Sequence, residues 1–352
     1  MSSDKNSTDG AQNQHYVPKF ILRNFLQNED KERVSVFEKS TGRGFITQIK
    51  NIMAERRFHE FAVDDDHFAS FEGVAGKMED LIIETYSRIV KQGKLNRSDE
   101  ERSYLVFFLA FQFLRTRASR DRFLELEQQL SDKLCKDGQT LEDISGLGYA
   151  PSTEDDLKVQ HIDFIQSSIK EFTEIIAGKD FFLMSAPAGR AFYLGDNPVS
   201  LHNSLKPRSD FLGNIGLSVT GIELYMPLSS KLMLCAWCPS IIEGLRKTQI
   251  QQAKEAKATA FSGVTAGKIT MLQMKEYLEY ADCIVTPVTE LITNFDSGTP
   301  ILCDTNNMDF YNSLQMNYAK QFVICKNSDF ALARKFLDTS SEHDHKGFGS
   351  IV

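Results

Sequence analysis

The chain has 352 residues, 41% of them hydrophobic and 25% charged, with only 9 prolines and 21 glycines. This composition excludes a disordered, collagenous or low-complexity protein and predicts a packed globule, either one large domain or two ordinary ones. A net charge of −8 excludes wholesale wrapping of nucleic acid or of an anionic membrane, so a polyanionic partner has to be met locally.

The longest apolar run, residues 104–111, falls far short of the roughly 20 residues that cross a bilayer, and no membrane partner is expected. Residues 1–12 are polar and lack the apolar stretch of a secretory signal, so they read as a disordered leader. Six cysteines (Cys135, Cys235, Cys238, Cys283, Cys303, Cys325) are scattered along the chain, as expected of a cytoplasmic protein without disulfides. Cys235 and Cys238 have thioredoxin-like spacing, but no second pair for zinc accompanies them and the run 232–237 reads as a buried strand.

In chain order, residues 18–26 place Phe20, Ile21, Leu22 and Phe25 at helical spacing behind Pro18, and residues 33–38 alternate like a strand. Residues 68–92 carry Phe71, Val74, Met78, Leu81, Ile82, Thr85 and Ile89 at steps of three and four, the pattern of an amphipathic helix. Ser98 is expected to cap one long helix over 98–134, whose part 105–111 is apolar all round and must be enclosed by protein. A loop is expected over 137–151, then a helix over 152–177 with acids in its first turn.

Past Gly178 short apolar runs at 181–186, 191–194, 217–226 and 231–237 predict a sheet. Helical spacing returns at 243–261, 270–291 and 309–319, followed by a strand at 321–325 and a short helix at 330–337. Strands that cluster apart from helices predict an α+β fold. The expectation is one compact unit over 13–337, a helix-rich lobe (about 13–178) packed on a mainly antiparallel, sheet-containing lobe (about 179–337), with a flexible tail over 338–352.

Three places combine polar chemistry with apolar surroundings. His15 stands at the entrance of the first helix, where it either caps or bonds within the core, or serves as an acid, base or ligand. Gln112 and Arg115 interrupt the enclosed helix three residues apart, with Ser119 and Arg122 continuing that face. A buried arginine requires a partner, either a carboxylate or an anionic ligand such as phosphate. Asp196 and Asn197 follow the strand at 191–194 in a turn closed by Pro198; Asp196 there is either a strand-end carboxylate or the hydrogen-bonding residue of an Asx-turn. His59, His67 beside Asp64 to Asp66, His161, His343 and His345 lack helical ligand spacing.

The run from His15 to Phe25 resembles the opening of the bacterial family catalogued as domain of unknown function 4238, which begins with a His-Tyr-x-Pro pattern. Residues 51–58, Phe71 with Glu72, Gln112 with Arg115 and Thr116, the turn 195–199, residues 227–229 and residues 312–315 resemble its later motifs in order, so the similarity spans about 13–337. The family often has tyrosine where this chain has His59, which is not carried over.

What the resemblance adds is one polar set: His15, Glu72 and Asp196 as catalytic residues, with Gln112, Arg115 and Asn197 binding substrate. It implies hydrolysis at a phosphate ester of nucleic acid or a nucleotide, in the setting of an effector nuclease or toxin of prokaryotic immunity. The rival reading is a module that binds an anionic ligand without turnover, or a purely structural set. No cofactor is expected, a divalent metal being the alternative that Glu72 and Asp196 allow. A homo-oligomer or a partner from the same defence operon is compatible with either reading.

Overall fold

The computed structural model describes residues 13–62, 68–136, 152–205 and 214–343. The leader, the acidic run with His67, the loop expected over 137–151 and the last residues of the tail lie outside them.

The N-terminal segment is strand β1 (Asn13–His15), a single turn α1 (Lys19–Leu22) continued by a 3-10 turn to Phe25, and the hairpin β2 (Arg33–Glu38) and β3 (Arg43–Gln48). Three short strands follow, β4 (Ala54–Arg56), β5 (Glu60–Ala62) and β6 (Phe68–Ser70), the last at the start of the stretch expected to be helical. The helices are α2 (Glu72–Gln92), α3 (Asp99–Leu114), α4 (Arg117–Lys136) and α5 (Glu154–Ala177). Ser98 accepts from the Glu101 N–H as the cap of α3, and Thr153 forms a capping box with Asp156 at α5. The single helix expected over 98–134 is broken at Arg115 and Thr116.

The second half contains β7 (Asp180–Ser185), β8 (Leu194–Gly195), β9 (Ser200–Asn203), β10 (Ile222–Ser229) and β11 (Leu232–Trp237). It continues with the hairpin α6 (Pro239–Thr265) and α7 (Met271–Ser297), then β12 (Ile301–Leu302), α8 (Thr305–Tyr318), β13 (Phe322–Ile324) and α9 (Ala331–His343). The five described cysteines, Cys135, Cys235, Cys238, Cys303 and Cys325, are unbridged.

The fold is α+β. Its main sheet has the order β12-β7-β11-β10-β9, antiparallel except for β12 beside β7. Strand alternation divides its side chains between two helical layers. Leu183, Leu224, Met226, Leu228, Leu232 and Leu234 enter one core with α1, α2 and α3, while Phe182, Met184, Tyr225, Met233 and Cys235 enter another with α6, α7 and α8. All eight residues of β10 are therefore buried, and the enclosed part of α3 lies where its all-round hydrophobicity requires.

A second sheet, β3-β2-β13-β8, is antiparallel throughout. It joins the hairpin at 33–48 to the strand at 322–324, so the segment before residue 178 is helix-rich without being purely helical, and strands from both ends of the chain share a ladder.

Gly298 closes α7 in the left-handed region at φ +73°, where an added Cβ would stand 2.3 Å from the Leu95 carbonyl oxygen. Only glycine admits both the dihedral and that approach. Gly298→Ala is expected to cost roughly 2–4 kcal/mol in a denaturant melt; a loss within 0.5 kcal/mol, the range of an ordinary surface substitution, would contradict the packing described.

Candidate functional site

Strand β1 pairs with β4 over only three residues, with His15 opposite Ala54. A ladder this short has little stability of its own, and the surrounding polar side chains supply it. Gln112 Nε2 donates to the Tyr16 carbonyl at 3.0 Å and Arg115 Nη2 to the His15 carbonyl at 2.7 Å. Arg115 Nη1 pairs with Glu79 Oε1 of α2 at 2.6 Å, and the residue is 1% exposed. The two side chains expected to bind an anion are thus engaged with backbone and with a carboxylate that sequence reasoning did not name.

His15 Nε2 lies 2.9 Å from the Ile49 carbonyl oxygen. A carbonyl only accepts, so Nε2 carries the proton and Nδ1 keeps its lone pair. Burial pushes the His15 pKa down against the bond to Ile49, with Lys19 and Arg115 adding to the fall and Glu72 opposing it.

His59 completes the group. It stands between Arg57, which adopts φ +53°, and β5, and its N–H donates at 2.6 Å to Gln14 Oε1, whose own amide donates at 2.6 Å to Glu60. Its Nδ1 donates to Glu72 Oε2 at 2.7 Å, leaving Nε2 as a buried acceptor. Burial again lowers the His59 pKa, opposed by the Glu72 bond. Glu72 is the first residue of α2 and its side chain is 39% exposed. Burial acts to raise its carboxyl, but the His59 bond and the charges of His59, Arg115 and His15 outweigh that and hold it below the usual range.

Arg117 and Arg120 of α4 flank this group, reaching Glu55 of β4 at 3.1 and 2.5 Å, with the Arg120 guanidinium 4.2 Å from the Phe58 ring centre. Behind them His161 Nε2 donates to the Leu114 carbonyl at 2.8 Å, and burial pushes its pKa down to about 4. Four buried atoms here have no protein partner: the acceptors His59 Nε2 and Gln112 Oε1, and the donors Arg115 Nε and Arg120 Nη1.

Asp196, whose charge reaches Tyr16 and Arg117, is engaged with backbone. Its carboxylate accepts from the N–H groups of Lys320 and Gln321 at 2.8 Å and of Phe322 at 2.9 Å, clamping the turn before β13. Burial raises its pKa against those three bonds and Lys39. At Gly195 before it an added Cβ would stand 3.1 Å from the Gln315 carbonyl oxygen, close enough that a side chain there requires its neighbours to give by a few tenths of an ångström. Asn197 accepts at 3.1 Å from Thr116, whose hydroxyl in turn accepts from Ser119 in the first turn of α4.

The structure brings His15, Glu72, Gln112 and Arg115 together and holds Asp196 and Asn197 in structural contacts beside them. It adds Gln14, Glu79 and His59, the last weighed in the sequence and not carried over; Glu79 stands seven residues after Glu72 on the same face of the helix. Two surface clefts, about 350 Å³ along α7 and about 260 Å³ beside Arg190 and Lys335, share no residue with the site. Among the described residues no three His, Cys, Asp or Glu side chains converge to hold a metal, and no helix is long and apolar enough to cross a membrane.

The fold and the site define an α+β protein whose N-terminal strand, ending in His15, is locked by a buried arginine beside a His59–Glu72 pair. Residues 13–329 match the family described as "Protein of unknown function (DUF4238)", and the chain belongs to that family. Comparison with curated proteins and with solved structures gives no match.

Two measurements check this geometry. Asp196→Ala removes the acceptor of three part-buried N–H groups and is expected to lower stability by roughly 2 kcal/mol; a loss under about 0.5 kcal/mol would contradict the clamp. The lowered histidine pKa values mean that the unfolded chain, titrating near 6.5, takes up protons before the fold does. Their contribution is complete above that pH and is lost as pH falls towards about 4, so the urea midpoint should drop over this window. His161→Gln should flatten the drop by about 3 kcal/mol, and an unchanged slope would place the titration elsewhere.

Proposed function

We propose that the protein hydrolyses a phosphate ester of a nucleic acid or nucleotide, with His15 and the His59–Glu72 pair as proton-transfer groups. The observation that carries this reading is the half-exposed Glu72 carboxylate, 2.7 Å from a buried imidazole whose second nitrogen has no partner. A carboxylate fixes the tautomer of His59 and favours its protonated form as a proton arrives.

Attack on phosphorus requires removal of a proton from the incoming hydroxyl and neutralisation of charge on the phosphoryl oxygens. His15 Nδ1, neutral and unprotonated, performs the first at pH 7. Arg120 Nη1 and Arg115 Nε are the donors left for the second, while the rest of Arg115 positions His15 through its carbonyl. The donor set of two imidazoles and one carboxylate suits metal-free acid–base chemistry. A cytoplasmic effector nuclease or toxin of prokaryotic immunity is the setting we attach to this activity, with a homo-oligomer or an operon-encoded partner compatible with it.

A second reading, a locked structural set or a binding module without turnover, is favoured by Arg115, Gln112 and Asp196, whose hydrogen bonds go to backbone or to Glu79. Assay of the purified protein against RNA, single- and double-stranded DNA and free nucleotides separates the two. The hydrolase reading expects turnover that survives EDTA and falls by roughly a hundredfold or more in His15→Gln and in Glu72→Gln, with melting curves shifted by a few degrees at most. His15→Gln retains a donor for the Ile49 carbonyl. No turnover on any substrate would move the assignment to the second reading, and activity abolished by EDTA and restored by Mn²⁺ would keep the hydrolase and add a metal.

A further inference from the structure

The α6–α7 hairpin is the one large feature to which the candidate site gives no role. Each helix has 27 residues, about 40 Å at 1.5 Å per residue. Among the described residues the root packs with the main sheet, through Ile242 and Leu245 of α6 and Val288, Leu291, Ile292 and Phe295 of α7. Arg246 pairs there with Asp296, and Gln249 bonds Thr289. Beyond these the helices lean on each other through Ala253, Ala256 and Ala260, small residues at coiled-coil spacing, and the pair stands out from the core as an arm.

The end of that arm is built in a particular way. Gly267, at φ +64°, makes the turn, Ile269 packs on Gly263, and Thr270 caps α7 with Gln273. Phe261, Met271 and Leu272 flank the turn and are 59%, 65% and 68% exposed. Around them, between Glu255 and Glu276, stand Lys257 on α6, Lys268 in the turn and Lys275 on α7, the last paired with Glu279 at 3.8 Å, in a chain whose net charge is −8. Along α6 the exposed positions Ile250, Lys254, Lys257 and Phe261 recur at steps of four, three and four, so apolar and cationic groups share one face.

We propose that the tip of this arm docks on an anionic lipid surface. Phe261, Met271 and Leu272 enter the boundary between headgroups and acyl chains, while the ammonium groups of Lys257 and Lys268 reach the headgroups with their stems along the apolar layer. The mixture of chemistries selects this occupant: exposed apolar side chains (Phe261, Met271, Leu272) surround Lys268 in the turn itself, with Lys257 further back on α6. A phosphate backbone would leave the Met271 and Leu272 side chains without a partner, and residues 247–297 contain no arginine to grip one. A second copy of the same tip would bring lysines against lysines. The contact is local, as the net charge of the whole chain requires.

The test is co-sedimentation of the full-length protein with vesicles of phosphatidylcholine alone and of phosphatidylcholine with about 30 mol % phosphatidylglycerol. Binding is expected to the anionic vesicles only, and to weaken at least about tenfold in Phe261→Ser combined with Leu272→Ser, and likewise in Lys257→Glu combined with Lys268→Glu. All four positions are exposed, so far-ultraviolet circular dichroism and melting should be unchanged. Failure to bind anionic vesicles, or binding indifferent to both variants, overturns the proposal. A dimer seen by light scattering and dissolved by the Ser variants, without vesicle binding, assigns the tip to a second copy instead. A shift of RNA or DNA that the Glu variants lose and the Ser variants keep, again without vesicle binding, assigns it to nucleic acid.

Discussion

The Arg115 guanidinium is a charge almost wholly removed from water, and the N-terminal architecture is arranged around keeping it paired. An unpaired ion in such a place costs several kcal/mol. Glu79 supplies the counter-charge and the His15 carbonyl a further acceptor, so one side chain ties α2, α3 and β1 together. The pairing also accounts for the break in the helix. Arg115 is the cap residue of α3, its N–H still bonded to Phe111, and Thr116 turns the chain so that α4 starts in a new direction. That direction carries Arg117 and Arg120 to Glu55 on the strand paired with β1. A three-residue ladder is thereby braced from both sides, and the one histidine on it, His15, is held in a single tautomer by the Ile49 carbonyl.

Burial sets the chemistry of those histidines and the main sheet sets their place. Because β10 is covered on both faces, its strands offer no open surface for a site. The polar group lies instead at the margin, where β1, β4 and the turn before β5 meet the ends of α2 and α3. Glu72 is the one member of the group with substantial exposure. It stands at a helix N-terminus, where the peptide dipoles favour a carboxylate.

The helices were legible because ten or more residues of regular spacing average out local exceptions; α2, α5, α6 and α7 lie close to where periodicity puts them. Strands of two or three residues such as β1, β4 and β12 contain less than one full alternation, so no pattern exists to read. The break at Arg115 was hidden for a different reason: the sequence there continues helical spacing, and a tertiary ion pair decides where the turn falls. The same division runs through the site. His15, Gln112 and Arg115 announced themselves as polar groups in apolar surroundings. His59 had no such contrast, in a short loop next to residues 63–67, and Asp196 gave the same signal as a catalytic carboxylate while serving as a clamp on three amides.

The sheet that joins β2 to β13 sets a timetable for the nascent chain. The hairpin at 33–48 is among the first structures that can form, but the edge of β2 is completed only by residues 322–324. At 5–20 residues per second a ribosome needs roughly 15–60 s to make the intervening chain. Through that interval Val34, Val36 and Phe37, fully buried in the finished protein, belong to a strand with one unpaired edge, the kind of surface that recruits other strands. Contacts separated by nearly the whole length of the chain also slow the final closure, since loop entropy has to be overcome before the ladder is gained. Production of this protein is therefore governed by how well its first hairpin is shielded until its last strand arrives.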